Sequence, residues 1–128
     1  MSELAAAACD RTGRARLASA ERPVDLVHLA RMTHGERSLE REVLQLFDRQ
    51  AASLMARIQS APANDIPPLV HTLKGSARAI GAVAVARAAE AVELTDPATD
   101  AERQHSLAAL RTTTEEARAF IADLLRAH

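Results

Sequence analysis

Between residues 107 and 124 the chain places Leu107, Leu110, Thr114, Ala117, Ile121 and Leu124 at alternating spacings of three and four residues. On a helix those positions form one continuous stripe. A helix with a single apolar stripe is marginal alone and must bury that stripe against others. The sequence supplies partners of the same kind. Leu39, Val43, Leu46, Phe47, Gln50, Leu54 and Ile58 make a stripe on a helix expected from about Ser38 to Ser60. A third helix is expected over roughly 67–80, with Leu69 or Val70, Leu73, Ala77 and Ile80 inward and Gly81 as a left-handed cap. A fourth, over about 83–95, turns Val85, Ala89 and Val92 inward, and the last runs over about 100–127.

The breaks between these segments are equally legible. "APANDIPP" at 61–68 stops one helix and restarts the next, since paired prolines suit a first turn and not an interior. "TDPATD" breaks the chain again, and Thr99 with Glu102 has capping-box spacing. Thr33 and Glu36 show the same spacing, with Gly35 between them. After Pro23, "VDLVHLARM" reads as a short amphipathic helix. The expectation is an all-α fold, an antiparallel four-helix bundle over 23–128 with a short additional N-terminal helix capping one end. Residues 1–22 show no persistent apolar face and read as a mobile extension, although their alanine content also suits a short helix.

Composition narrows the function. Two Phe and no Tyr or Trp leave an aliphatic core and nothing with which to stack bases. A net charge of −1 argues against nucleic acid as a partner. Cys9 stands alone, so neither an internal disulfide nor a thiolate metal site is expected. No apolar run is long enough to cross a membrane, and "LAAAAC" is too short for a signal peptide. A cytoplasmic monomer is expected.

Five histidines, at 28, 34, 71, 105 and 128, share no helical pairing that would hold a metal, so no metal is assigned. There is no phosphate-binding glycine loop and no nucleophile elbow. His28, His34, His105 and His128 read as surface residues. Glu40, Glu42, Glu90 and Glu93 fall on expected solvent faces and read as solubilising. His71 differs. At about 100° per residue it lies roughly 150° from the core stripe of its helix. It shares the outward side with Gly75, Lys74 and Arg78, near the expected start of the helix. An exposed imidazole is a competent nucleophile near neutral pH. Nearby cations favour a phosphoryl group, and a missing side chain at Gly75 clears an approach for a second protein. By spacing alone, a surface histidine beside a glycine that lets helices approach reads as well as a carrier of a transferable group.

"VHTLKGSARAIGA" at 70–82 resembles the phosphorylation motif of histidine-containing phosphotransfer domains: His-x-x-Lys-Gly, small residues, and a second glycine. The resemblance extends to "VDLVHLARMTHGERSLEREVLQLFDRQ" at 24–50, similar to small bacterial stand-alone members, and to "VARAAEAVE" at 85–93. It implies a phosphorelay intermediate. His71 would accept a phosphoryl group from an aspartyl phosphate on the receiver domain of a hybrid histidine kinase. It would then pass the group to the aspartate of a response regulator. Lys74 would be the electrostatic partner, Gly75 the clearance residue, Gly81 the turn, and Arg78 a further cation of open role. The chain itself would need no cofactor, since magnesium belongs to the receiver. Leu44, Ala51 and Met55, just outside the stripe of the second helix, read either as ordinary core or as a docking patch for that receiver. A module of a larger chemotaxis-type kinase and a non-catalytic helical adaptor are the alternative readings.

Overall fold

The computed structural model describes residues 22–95 and 99–127; the expected extension over residues 1–22 lies almost wholly outside them, as does His128. Among the described residues five α-helices follow one another: α1 (Leu26–Met32), α2 (Arg37–Ser60), α3 (Ile66–Ile80), α4 (Val83–Leu94) and α5 (Asp100–Ala127). A 3-10 turn, Ala63–Asp65, leads into α3. Pro67 and Pro68 sit in the first turn of α3, where their missing N–H groups cost nothing. α3 packs on α2 and α4, and α5 closes the ring against both α4 and α2. Neighbours run antiparallel, as cross-links between α2 and α5 show. Arg41 donates to the Leu125 carbonyl, and Arg118 to Asp48 seven residues further along α2.

The core is aliphatic, as the composition requires. Val70, Leu73 and Ala77 of α3, Val85 and Ala89 of α4, and Leu110, Ala117 and Ile121 of α5 are all fully buried. Burial of side chains of the Val, Leu and Ile size stabilises by about 1.5–3 kcal/mol each. Thr114 occupies a core position on α5, and its Oγ1 has no hydrogen-bond partner among the described residues.

The stripe of α2 is rotated from the sequence expectation. Leu44, Phe47, Ala51, Leu54, Met55 and Ile58 form the buried row. Leu44, Ala51 and Met55 are therefore core residues and offer no docking patch. Leu39, Val43 and Gln50 are only half-buried, and Leu46 points outward with 58% of its surface exposed. Both rows satisfy three- and four-residue spacing. α2 must face α3 and α5 together, and that requirement selects the row about 130° away from Leu46.

Two further expectations change. Thr33 does not cap α2; it ends α1, and its buried Oγ1 donates to the Leu29 carbonyl and reaches Glu40. Glu36 is the N-terminal cap residue of α2 and makes no side-chain capping bond. His34 and Gly35 take left-handed conformations (φ 55° and 74°), which turn the chain between α1 and α2 and break the capping-box geometry. His28 is not a free surface residue. It is half-buried, and its Nε2 bonds the Ala79 carbonyl at 2.9 Å. α1 is thereby tied to the end of the bundle at the α3–α4 turn.

Gly81 closes α3 as expected, at φ 85°, with its N–H on the carbonyls of Ala77 and Arg78. A Cβ at this residue would meet His28 at 3.1 Å and the Asp25 backbone oxygen at 3.2 Å. Gly81→Ala is thus both strained and crowded, and it should lower unfolding stability by about 1–2 kcal/mol or more in urea titration.

Candidate functional site

Only two residues, Gly81 and Ala82, separate α3 from α4, so the helices form a tight antiparallel hairpin and share the most extensive helix–helix contact in the protein. His71 lies ten residues before Gly81, and Glu93 lies eleven after Ala82. The hairpin therefore brings them level across its seam. Glu93 accepts a hydrogen bond from His71 Nδ1 at 3.0 Å through one carboxylate oxygen and from Lys74 Nζ through the other. One carboxylate thus binds both residues of the His-x-x-Lys pair.

Sequence inspection missed Glu93, reading it as a solubilising residue. The signal was present in the nearly equal distances of the two residues from the Gly81–Ala82 turn and in the position of Glu93 beside inward-facing Val92. Reading it required knowing that α3 and α4 are a hairpin rather than merely neighbours.

Glu93 has chemical consequences for the histidine. The Lys74 ammonium holds its carboxyl below the ordinary glutamate range; partial burial opposes that effect, and the His71 bond adds to it. An ionised carboxylate only accepts hydrogen bonds, so the contact requires the proton on Nδ1. Nε2 is then the nitrogen with a free lone pair. The side chain is 73% exposed, so that lone pair faces solvent. Any positive charge that develops on the ring lies against Glu93.

The remaining candidates fall into two groups. Lys74 is with His71 at the carboxylate, but it is not a loose surface cation: its side chain is only 14% exposed. Gly75 lies on the outer side of α3, and a Cβ built there would find nothing within 4 Å. No neighbouring helix needs that space, which removes interhelical packing as the reason for the glycine. Arg78 is separate. It is seven residues beyond His71, about 10 Å along the axis, and its Nη2 approaches Glu90 Oε1 at 3.8 Å with both side chains half-exposed. Such a pair contributes little to stability. His71 is the sixth residue of α3, beyond the first turn where a helix dipole acts strongly, so the carboxylate and not the helix start sets its electrostatics. Among the described residues, no group of three or more His, Cys, Asp or Glu could hold a metal ion. Among them, too, no helix is long and apolar enough to cross a membrane.

The bridge should have a pH signature. A carboxyl with a lowered folded-state pKa contributes stability above its ordinary value of 4.5, and that contribution is lost as pH falls through the lowered value. The stability gap between wild type and Glu93→Gln should therefore be widest above pH 4.5 and close on acidification. Nitrogen-15 shifts of the His71 ring should also show a mixture of tautomers in the variant, because an amide can donate as well as accept.

Comparison with known proteins adds an independent line. No curated protein and no solved structure gives a significant match to the chain. The family model for the Hpt domain matches residues 42–126, about two thirds of the chain. The matched span runs from the first turns of α2 almost to the end of α5 and contains His71, Lys74, Gly75, Gly81 and Glu93. A four-helix ring with an exposed, carboxylate-oriented histidine on the matched segment agrees with that assignment: the chain belongs to the Hpt domain family, which serves histidine phosphotransfer in phosphorelays.

Proposed function

We propose that His71 is the phosphoryl-accepting residue of a phosphorelay intermediate, and that donor and acceptor are receiver-domain aspartates. The observation that carries this reading is the hydrogen bond from His71 Nδ1 to Glu93 on a largely exposed side chain, which makes Nε2 the lone-pair nitrogen of the neutral ring. In the transfer, the Nε2 lone pair attacks the phosphorus of an aspartyl phosphate on the partner. The N–P bond forms, the P–O bond to the aspartate breaks, and the carboxylate leaves with the electron pair. The Nδ1 proton stays on the ring, which becomes a phospho-imidazolium, and Glu93 offsets its charge. The same steps in reverse hand the group to a second receiver.

Lys74 supports this chemistry through the carboxylate, which its ammonium holds in place beside the ring. Gly75 supports it by absence, since a partner loop can approach over α3 without meeting a side chain. The magnesium such an exchange uses is expected on the receiver and not on this chain. The reading takes the protein to act as a monomer in the cytoplasm.

Incubation with a phosphorylated receiver should place acid-labile, base-stable label on the wild type and none on His71→Gln. Equal labelling of the variant would sink the assignment. Gly75 gives an independent check. Its replacement by a bulky helix former should raise stability by up to about 1 kcal/mol, since the glycine sits in a helix interior with open space around it. The same variant should receive label from the receiver several-fold more slowly. Undiminished transfer by a folded variant would refute the clearance role.

A further inference from the structure

The ring of four helices does not close evenly. α2 and α5 share the least extensive contact around it, and their cross-links at Arg41 and Arg118 lie towards the start of α2. At the other end, where α2 stops and α5 begins, the gap between them holds a hollow of about 400 Å³. Asp48 is level with Arg118 in this antiparallel pair, so Met55, seven residues further along α2, is level with Arg111. Gln59 is then level with Leu107. The floor is apolar, made by Met55, Ile58, Leu107 and Ile66, the first residue of α3. The rim carries Gln59, Gln104 and Arg111, all exposed. Among the described residues no hydrogen bond or ion pair engages these three side chains. The walls thus hold a guanidinium and no carboxylate. The hollows at the α3–α4 hairpin differ: the one beside Gly81 places Asp25 and Glu90 among its cations, and the one beside Val92 contains Glu93.

We propose that this hollow binds a small organic carboxylate with an apolar body, at a site separate from the phosphoryl-accepting histidine. Charge selects the head group. The guanidinium of Arg111 presents a planar fork of N–H groups that matches both oxygens of a carboxylate, and no acidic wall competes for it. A cationic head group would lose hydration and meet Arg111 without a partner. The amides of Gln59 and Gln104 donate to the ligand or stay in water, so neither is left buried and unpaired. The floor selects the body. Arg111 and Gln104 stand seven residues apart, so the hollow runs about 10 Å along α5. A carboxylate held at Arg111 sends its chain over Ile58 and Leu107 towards Ile66, and the Met55 thioether adapts to its shape. A concave apolar floor with a few polar groups at the rim is the usual form of a small-molecule site.

Titration of the nitrogen-15-labelled full chain with sodium octanoate tests the proposal. Octanoate should shift the backbone amides of residues 55–61 and 104–111 saturably at millimolar concentration. Acetate has the head group without the body and should bind about tenfold more weakly or worse. Octylammonium has the body with the opposite charge and should give no saturable shift at these residues. Arg111 is exposed and engages no described side chain, so Arg111→Gln should keep the wild-type fold. Its affinity for octanoate should fall about tenfold. Arg49→Gln, on the exposed side of α2, should bind as the wild type does. The site is overturned if octanoate gives no saturable shift, or shifts only residues elsewhere. Equal binding of octanoate and octylammonium overturns it without any variant, and so does an unaltered affinity in Arg111→Gln.

Discussion

The turn at Gly81 sets the register on which the site depends. A left-handed residue there ends α3 and lets α4 start two residues later. The turn is held from outside as well: the Asp25 N–H bonds the Gly81 carbonyl at 2.9 Å, and His28 bonds Ala79 just before it. Short α1, whose seven residues would not be stable alone, thus works as a clamp on the hairpin. With the register fixed, the level of every residue along the seam follows. A one-residue slip would rotate Glu93 by about 100° and take its carboxylate away from the histidine.

Within that register, the site is an arrangement of three ionisable groups with unequal exposure. Lys74 is mostly covered and His71 mostly open, and Glu93 lies between them. A covered lysine needs a partner more than an exposed one does, because desolvation penalises an unpaired charge. Lys74 therefore anchors Glu93, and Glu93 in turn orients the ring. The exposed histidine is held by a partner that is itself held, which fixes its tautomer without burying it. Exposure leaves Nε2 open to a second protein, and the anchored carboxylate supplies the order that burial would otherwise give.

Much of this was legible in the sequence, and what was missed has physical causes. The helices, the Gly81 cap, the inward rows of α3, α4 and α5, and the outward placement of His71 follow from periodicity, with only the choice between Leu69 and Val70 left to the fold, which buries Val70. The row of α2 has two solutions, one through Leu46 and one through Leu44 and Met55. Spacing cannot choose between them; the positions of α3 and α5 do. The same limit hid Glu93. Periodicity places a residue on a face of its own helix but says nothing about what faces it from the next. The Thr33–Glu36 spacing misled for a local reason, since His34 and Gly35 are left-handed and a capping box needs the chain to enter the helix directly.

The two glycines of the motif make the division of labour plain. Gly81 is required by the fold: its φ is positive, and any side chain would strike α1. Among the described residues nothing requires Gly75, for its backbone is helical and no atom lies within 4 Å of where a Cβ would stand. A mid-helix glycine in open space weakens its helix by about 1 kcal/mol relative to alanine, and no packing contact offsets that loss. On the proposed reading, the benefit lies outside the folded chain. The position of Gly75, one turn from His71 on the outer side of α3, indicates where. On that reading, a partner that comes close to Nε2 passes over this turn with backbone-level access. The free chain then carries the weaker helix permanently, and the gain would appear only with a partner bound.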